Sequence, residues 1–423
     1  DYRQGWVNGF RPLVKEVKVF DISVLRRLNQ GARSPYRSTA MPGTAKTLGQ
    51  SIAGWGAHVV FAHHGRAASN PEFLGALHRE GVETVVYLCD EPYESGETCK
   101  YSPRFKHVFT MDACTVEAHR LSRQNRDCVY YLPPGVDTAH FHYRPYFDDD
   151  GELIREIPAF FLGNAALVPR KAWLEPVSRL IEGADIRFFK PTGKGHPKWI
   201  SLRDHPLFYA NCIVGLNVHR APEITDECFK KRVLGRGNEA VPKGLTLASQ
   251  LPRRPGTGFW NDGNLPASHV NPRFLEMASC GTLVVSDNHR SELARMFPMA
   301  PQADSPEHFF ELVQHYINHP REAEEIGRAC STLVSRRHSY QHRAAEVLIR
   351  LGFQKSLVDS QLSSLGAPED WLTPQDCGPR GISSFSGRTG HSERWSPQLG
   401  MSLTRVSGRA SDSTSLDAPT PWL

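Results

Sequence analysis

The stretch NPRFLEMASCGTLVVSD, at 271–287, limits what this chain can fold into more than any other segment. Asn271 followed by Pro272 is an N-cap with proline in the first helical position, where the missing N–H costs nothing and the fixed φ suits a helix. Gly281 after Cys280 is the natural place for the chain to turn left-handed and stop that helix. Leu283, Val284 and Val285 then form a short, fully apolar run suited to a buried parallel strand. The unit is helix, tight turn, strand. Its helix start offers free N–H groups and a positive dipole end to a phosphate, and Glu276, in a mostly apolar setting, offers a carboxylate to a diol. Arg273 and Glu276, at i and i+3, also fit a plain helix-surface ion pair.

The segment resembles the C-terminal domain of GT-B glycosyltransferases, in particular the CgeB-like (spore maturation protein-like) group, with its N-x-R-x-x-E, small-residue helix, Cys-Gly and apolar strand. The resemblance implies that Glu276 holds the donor ribose hydroxyls, and that Arg273, the helix start at Asn271 and the Gly281 turn belong to the nucleotide-sugar site.

A chain of 423 residues has room for two sizeable cores and a tail by the usual length of about 100–200 residues per domain. Lys and Arg exceed Asp and Glu by only 50 to 45. No basic stripe interleaved with aromatics appears, so a nucleic-acid partner is not expected. The nine cysteines are odd in number, scattered and without a C-x-x-C pair, which indicates neither zinc nor a disulfide framework and suits a reducing compartment, the cytoplasm. No apolar run approaches the roughly 18 residues of a spanning helix, and no signal peptide opens the chain. The sequence begins at Asp1 without methionine, leaving room for a further strand before it.

In chain order, the end of a helix at 5–14 precedes strands expected at 17–20, 57–62, 84–89, 106–110 and 128–131, with helices at 22–29, 44–54, 70–80 and 113–124. Strand alternating with helix, with polar residues gathered after each strand, is the pattern of a doubly wound parallel sheet, which binds ligands beyond the carboxyl ends of its strands. Here too the chain is similar to the CgeB-like proteins, in D-x-P-Y after a strand (Asp90, Pro92, Tyr93), V-F-T-M-D (108–112) and Y-L-P-P-G-V-D-x-x-x-F (131–141). A hinge is expected at 138–157. Its three aspartates at 148–150 could be taken for a metal site, but a charge run between periodic segments is usually a solvated linker.

The second series opens at Pro158 to Asn164, with a helix to about 182, a strand at 186–189, a helix including 205–211 and a strand at 213–220. Gly163 after its strand permits close backbone approach, and Arg170 or Lys171 could meet a diphosphate. The family's F-x-G-x-then-Arg spacing supports this reading and brings in Asn164. Asn217, His219 and Arg220 end a strand as in the family's L-N-x-H-R, and so become donor-contact candidates. His219 also fits a satisfied edge histidine. The stretch 221–266 has little periodicity and many Gly and Pro; connections beyond about 12–15 residues are either functional or disordered, so it is a lid, an acceptor-binding insertion or a disordered loop. Helices at 306–318 and 321–335 precede a last one at 339–351, with Arg343 facing out. From 353 the chain turns to 14 serines in 71 residues with many Gly and Pro, a composition that forms no core and reads as a disordered tail.

The expected fold is therefore α/β, of GT-B type. Two Rossmann-like domains face a cleft, an acceptor domain at 1–150 and a nucleotide-sugar domain at 157–352, with the disordered tail at 353–423. Glycosyl transfer needs charge and N–H donors for the diphosphate and a base for the acceptor. Arg170, Lys171, Arg273 and the Asn271 helix start supply the first without a metal; no D-x-D ends a strand, and the nucleotide sugar is a co-substrate, with no cofactor. Among His63, His64, Asp90, Glu91 and Asp112, the candidate catalytic residues are Asp90 and His64, although Asp90 equally suits capping the turn before Pro92. His269 stands seven positions before Glu276, where the large retaining GT-B family has a first glutamate, so the stereochemical outcome stays open. A nucleotide-sugar epimerase and a non-catalytic glycan- or nucleotide-binding protein are the alternatives, and the acceptor is unidentified.

Overall fold

The computed structural model describes residues 2–20, 44–143, 154–163, 170–188, 203–219, 265–356, 358 and 360, all within one compact unit comprising 1–190 and 195–371. The helix expected at 22–29, the aspartates at 148–150, Asn164, Arg220, nearly all of 221–266 and the tail beyond 360 lie outside these residues.

Two parallel sheets organise the described chain. The first contains β1 (Val59–His63), β2 (Glu83–Leu88), β3 (His107–Thr110) and β4 (Val129–Tyr131), in that spatial order. In the second, β5 (Ile157–Gly163), β6 (Asp185–Phe188), β7 (Cys212–Asn217), β8 (Leu283–Asp287) and β9 (Gln302–Ala303) run in the order β6-β5-β7-β8-β9. That order reverses between β5 and β7, a topological switch point of the kind beside which open α/β sheets bind ligands.

Both sheets are covered on both faces, which is why their strands are continuous apolar runs rather than alternating ones. Side chains of β5 alternate between two cores. Phe160 and Leu162 pack with Phe274 and Met277 of α8 (Pro272–Ser279) and Cys330 and Val334 of α11 (Pro320–Arg337). Ala159 and Phe161 pack with Trp173 and Val177 of α6 (Arg170–Leu180) and Phe309 and Val313 of α10 (Pro306–Asn318). On the first sheet, Val86, Leu88 and Val108 meet Ile52 of α2 (Thr44–Gly54) and Phe73, Leu74 and Leu77 of α3 (Pro71–Arg79).

The opposite face of that sheet is closed by the ends of the chain. Val85, Tyr87 and Phe109 pack with Trp6 and Phe10 of α1 (Tyr2–Phe10) and with Tyr340, Ala344, Val347 and Leu348 of α12 (Tyr340–Arg350). Side chains on Gly5 or Gly9 would overlap Tyr340, so these two glycines let α1 lie directly on α12. Val136 pairs with Ser339 where the chain crosses back.

Hydrogen bonds join the carboxyl ends of the two sheets. Asp112, after β3, accepts from the Ser268 backbone at 2.9 Å. The Tyr131 hydroxyl of β4 donates to Glu292 at 2.5 Å, and Arg290, after β8, donates to the Tyr93 hydroxyl at 2.6 Å. The strand ends therefore face each other, the α/β arrangement expected above.

Two expectations are corrected. The segment 17–20 is irregular rather than a strand: Val19 is 54% exposed and Phe20 39%, and Lys18 holds the segment instead by lying 4.0 Å over the Trp55 ring. Arg343 does not face out. It is buried and donates to the carbonyls of Pro134 and Arg337, both at 3.1 Å, because the crossing segment and the end of α11 bury backbone acceptors that need a donor.

Candidate active site

The helix that opens the central motif begins as its sequence dictates. Pro272 takes the first position of α8, and the Asn271 side chain accepts from the Arg273 N–H at 3.0 Å. Gly281 ends the unit with φ +79°. The Arg273 guanidinium then reaches across to β5 and donates from Nη1 to the Leu162 carbonyl. A side chain on the neighbouring Gly163 would crowd both Phe161 and that guanidinium, the Arg273 Nη1 lying 3.1 Å from its Cβ position. Glycine here is what allows a cation to sit at the switch point.

Glu276 follows one turn later. Burial raises its pKa, opposed by the positive charge of Arg273, and the Tyr209 hydroxyl stands 3.5 Å from its Oε2. The carboxylate lines a cavity of about 400 Å³ together with Tyr2, Asn8, Asp137, Arg203 and Tyr340, within the range of about 300–1,000 Å³ common for small-molecule sites. Part of Tyr2 stays exposed, yet the buried setting of its hydroxyl pushes its pKa up, and Glu276, Arg273, Cys89 and Asp90 all act on it electrostatically. One phenol thus senses α8 and the end of β2 together.

The remaining donor-side candidates divide. Arg170 is buried, and its Nε donates to the Val218 carbonyl at 2.7 Å; Lys171 beside it is exposed. Asn217 and His219 are buried and engaged with their own sheet. Asn217 donates to the Ser286 hydroxyl at 2.8 Å. His219 Nδ1 lies 2.7 Å from Asp287 Oδ1, while its Nε2 is 3.3 Å from Asn217 Nδ2. Burial lowers the His219 pKa to about 4 despite the Asp287 charge, so its ring is neutral at neutral pH. Gly281 precedes β8 at the amino ends of the strands, where its carbonyl accepts from Arg155 at 3.0 Å. Its place is that of a turn, away from the strand ends where a donor would bind.

On the first sheet, His64 has φ 68°. Its Nδ1 lies 3.8 Å from Cys89 Sγ and its Nε2 3.6 Å from Glu94. His64, Cys89 and Asp90 form the described group able to hold a metal ion, their ligand atoms all within 4.8 Å of one another. Asp90 is exposed. His63 stacks on Tyr2 at 6.0 Å, and burial, then His64, lowers its pKa to about 4. Glu91 is fully buried against His119 at 3.3 Å.

A polar cluster between the sheets surrounds Asp112, which is 0% exposed. Its carboxylate lies 2.8 Å from His269 Nδ1 and accepts from the Ser268 hydroxyl at 2.6 Å and the Cys114 N–H at 3.1 Å. Burial alone would raise the Asp112 pKa; the hydrogen bond and charge of His269, with the bonds from Ser268 and Cys114, hold it well below the ordinary range. Ser268 Oγ also lies 3.1 Å from Glu292. Burial lifts the Glu292 carboxyl to about 7, with the Asp112 charge adding to the rise. Asp112 was among the sequence candidates; Ser268, His269 and Glu292 gain a role only through the fold. The spacing of His269 from Glu276 bore on stereochemistry and did not point to Asp112.

Residues 260–349, which span α8, β8 and the helices beyond, match a family described as glycosyl transferase-like. No curated protein matches the chain. Among solved structures, HepE (Alr3699) of Anabaena in complex with UDP is similar over 73% of this chain and 81% of that one, at 10% identity and a TM-score of 0.46. The same protein in complex with UDP-glucose is similar over 76% and 82%, at 10% identity and 0.43. Sucrose-phosphate synthase of Thermosynechococcus elongatus is similar over 76% and 77%, at 9% identity and 0.44.

Proposed function

We propose that the chain is a metal-independent glycosyltransferase of the CgeB-like kind, acting in the cytoplasm and moving a hexosyl group from a nucleoside-diphosphate sugar to an acceptor. In this reading the half carrying the second sheet, 157–352, holds the donor, and the half carrying the first, 1–150, receives the acceptor beside His64 and Asp90. The observation that carries it is the placement of Arg273 at the β5/β7 switch point with Glu276 one turn away in a cavity, inside the segment that matches the glycosyl transferase-like family. A carboxylate there suits two ribose hydroxyls; a guanidinium and a helix start suit a diphosphate. The described cysteines are all free thiols, which supports a reducing compartment.

A thermal-shift panel of nucleoside diphosphates and their sugars tests the reading. A ligand at a hundred times its dissociation constant adds about 2.7 kcal/mol of stability, so one base should raise the melting temperature clearly. Glu276→Ala should erase most of that shift while melting like the wild type without ligand, because hydrogen bonds to a charged acceptor contribute about 1.5–3 kcal/mol each. An unchanged ligand shift in Glu276→Ala removes the carboxylate from the donor site.

A further inference from the structure

We propose that His269, oriented by Asp112, is the base that takes the proton of the acceptor hydroxyl, so that the catalytic dyad is assembled from both halves of the molecule. The proposal rests on the glycosyl-transfer reading and gives it a mechanism.

Three buried histidines among the described residues touch a carboxylate: His119, His219 and His269. His119 has both ring nitrogens engaged, Nε2 with Glu91 and Nδ1 with Ser102 and Cys99. His219 has both engaged as well, by Asp287 and Asn217. His269 differs. Its Nδ1 lies 2.8 Å from Asp112, whereas its Nε2 has no hydrogen bond to any described residue.

The environment of Asp112 decides the tautomer. A buried carboxylate receiving the Ser268 hydroxyl and the N–H groups of Ser268, His269 and Cys114 stays ionised and can only accept. The proton of a neutral His269 ring is therefore on Nδ1, and the lone pair is on Nε2. The carboxylate also stabilises the imidazolium that forms when Nε2 takes a proton, the division of labour of an aspartate–histidine pair in acyl transfer.

The position suits the chemistry. His269 stands two residues before the Asn271 cap of α8, so the base and the donor-side cation Arg273 belong to one short segment. The Tyr93 ring meets His269 edge-on at 6.3 Å from the first half. Because Asp112 comes from β3, the pair exists only when the two sets of strand ends meet. His64 offers less. Its nitrogens lie 3.8 Å from Cys89 Sγ and 3.6 Å from Glu94.

The acceptor oxygen forms a bond to the anomeric carbon of the nucleotide sugar as its proton passes to His269 Nε2. The bond from the anomeric carbon to the diphosphate oxygen breaks, and its electron pair leaves with the nucleoside diphosphate, whose growing charge faces Arg273 and the start of α8. The imidazolium later releases its proton to solvent. A base acting on a hydroxyl opposite the leaving group inverts the anomeric configuration.

The test uses the full chain with UDP-, GDP- and ADP-sugars and water as acceptor, reading nucleoside diphosphate release, nucleoside diphosphate affinity and the first-formed sugar anomer by proton NMR. His269→Asn is the decisive variant, since its amide N–H can replace Nδ1 toward Asp112 but cannot take a proton. It should melt near the wild type, bind nucleoside diphosphate within threefold of it, and lose about a hundredfold or more in release, the usual span for a lost general base. Asp112→Asn should lower the rate with nucleoside diphosphate affinity unchanged, because an amide that donates to Nδ1 turns the ring proton to Nε2 and removes the lone pair from it. Glu292, Tyr93, Arg290 and His219 surround the pair and stay in place in both variants. His269→Asn retaining more than a tenth of the rate, or a product of retained configuration, overturns the proposal and leaves a structural clasp. A wild type that binds nucleoside diphosphate but releases none from any sugar also overturns it, whereas a wild type that binds none of them sinks the glycosyl-transfer reading itself.

Discussion

Two aspartate–histidine pairs end strands of this molecule at nearly the same distance, His219 with Asp287 at 2.7 Å and His269 with Asp112 at 2.8 Å. The first lies within one sheet. Asp287 accepts from the His219 backbone as well as its ring, Asn217 covers the other nitrogen, and burial keeps the ring neutral. Such a pair fixes the turn after β7, where the Val218 carbonyl also receives Arg170. The second pair joins residues from different halves and leaves one nitrogen without a hydrogen bond to any described residue. A motif of two residue types therefore fixes a fold in one place and offers a lone pair in the other, and what separates them is the partner of Nε2.

Chemistry should concentrate on the uncommitted side. Arg273→Ala should lower turnover by about 10²–10³, the usual loss on removing a preorganised donor for developing charge, with a melting temperature close to the wild type. Steady-state rates beside thermal melts check this. Equal losses of rate and stability would break the contrast, since Arg273 would then be serving mainly to satisfy the Leu162 carbonyl.

The sealed pair should show the reverse balance. Asp287→Ala removes the acceptor for the His219 backbone N–H, the His219 ring and the His289 N–H. Net bonds to a charged acceptor contribute about 1.5–3 kcal/mol, so chemical denaturation should report a loss of about 2–3 kcal/mol. Folded Asp287→Ala should keep its nucleotide affinity.

The central motif was legible in the sequence because its signals are local. Asn271, Pro272 and Gly281 each act within a few bonds of where they stand, and α8, its cap and its left-handed stop fall where those residues place them. The covered sheets followed from apolar runs such as Leu283 to Val285. Arg343 was misread because the amphipathic pattern of its helix cannot reveal that Pro134, far away in sequence, presents a buried carbonyl to it. Val17 to Phe20 has strand composition, but propensity alone supplies no neighbour to pair with. His269 escaped a role for the same nonlocal reason: Asp112 is 157 residues away, and a spacing of seven from Glu276 says nothing about a partner on the other half.

A smaller effect comes from Glu292, the carboxyl beside the open pair. Its folded pKa of about 7 lies above its ordinary value near 4.5, chiefly through burial. The neutral form is therefore favoured by folding, and its stability is fully present below about pH 4.5 and lost as pH rises through 7. Asp112 runs the other way, its contribution being present above its ordinary value and lost only in acid. Glu292→Gln should flatten the fall in stability between pH 5 and 8, by roughly 1–3 kcal/mol at the alkaline end. Melts across that range in both proteins decide it, and parallel curves would place the titration elsewhere.

Chelation should have the smallest effect of all. In the proposed mechanism the leaving diphosphate meets a guanidinium at the switch point and the N–H groups of the α8 start, so neutralising its charge calls on groups that EDTA cannot remove. The described group able to hold a metal, His64, Cys89 and Asp90, is at the ends of β1 and β2, on the sheet opposite the one that carries Arg273. An ion there would perturb the acceptor side and leave the diphosphate contacts intact. Excess EDTA should accordingly change turnover by less than about twofold, well inside the ~1.4 kcal/mol that a tenfold change represents. If EDTA abolished transfer and manganese restored it, while Arg273→Ala kept near full activity, the leaving group would be held by a metal, and the division between a sealed pair and an open, cation-assisted one would have to be redrawn around that ion.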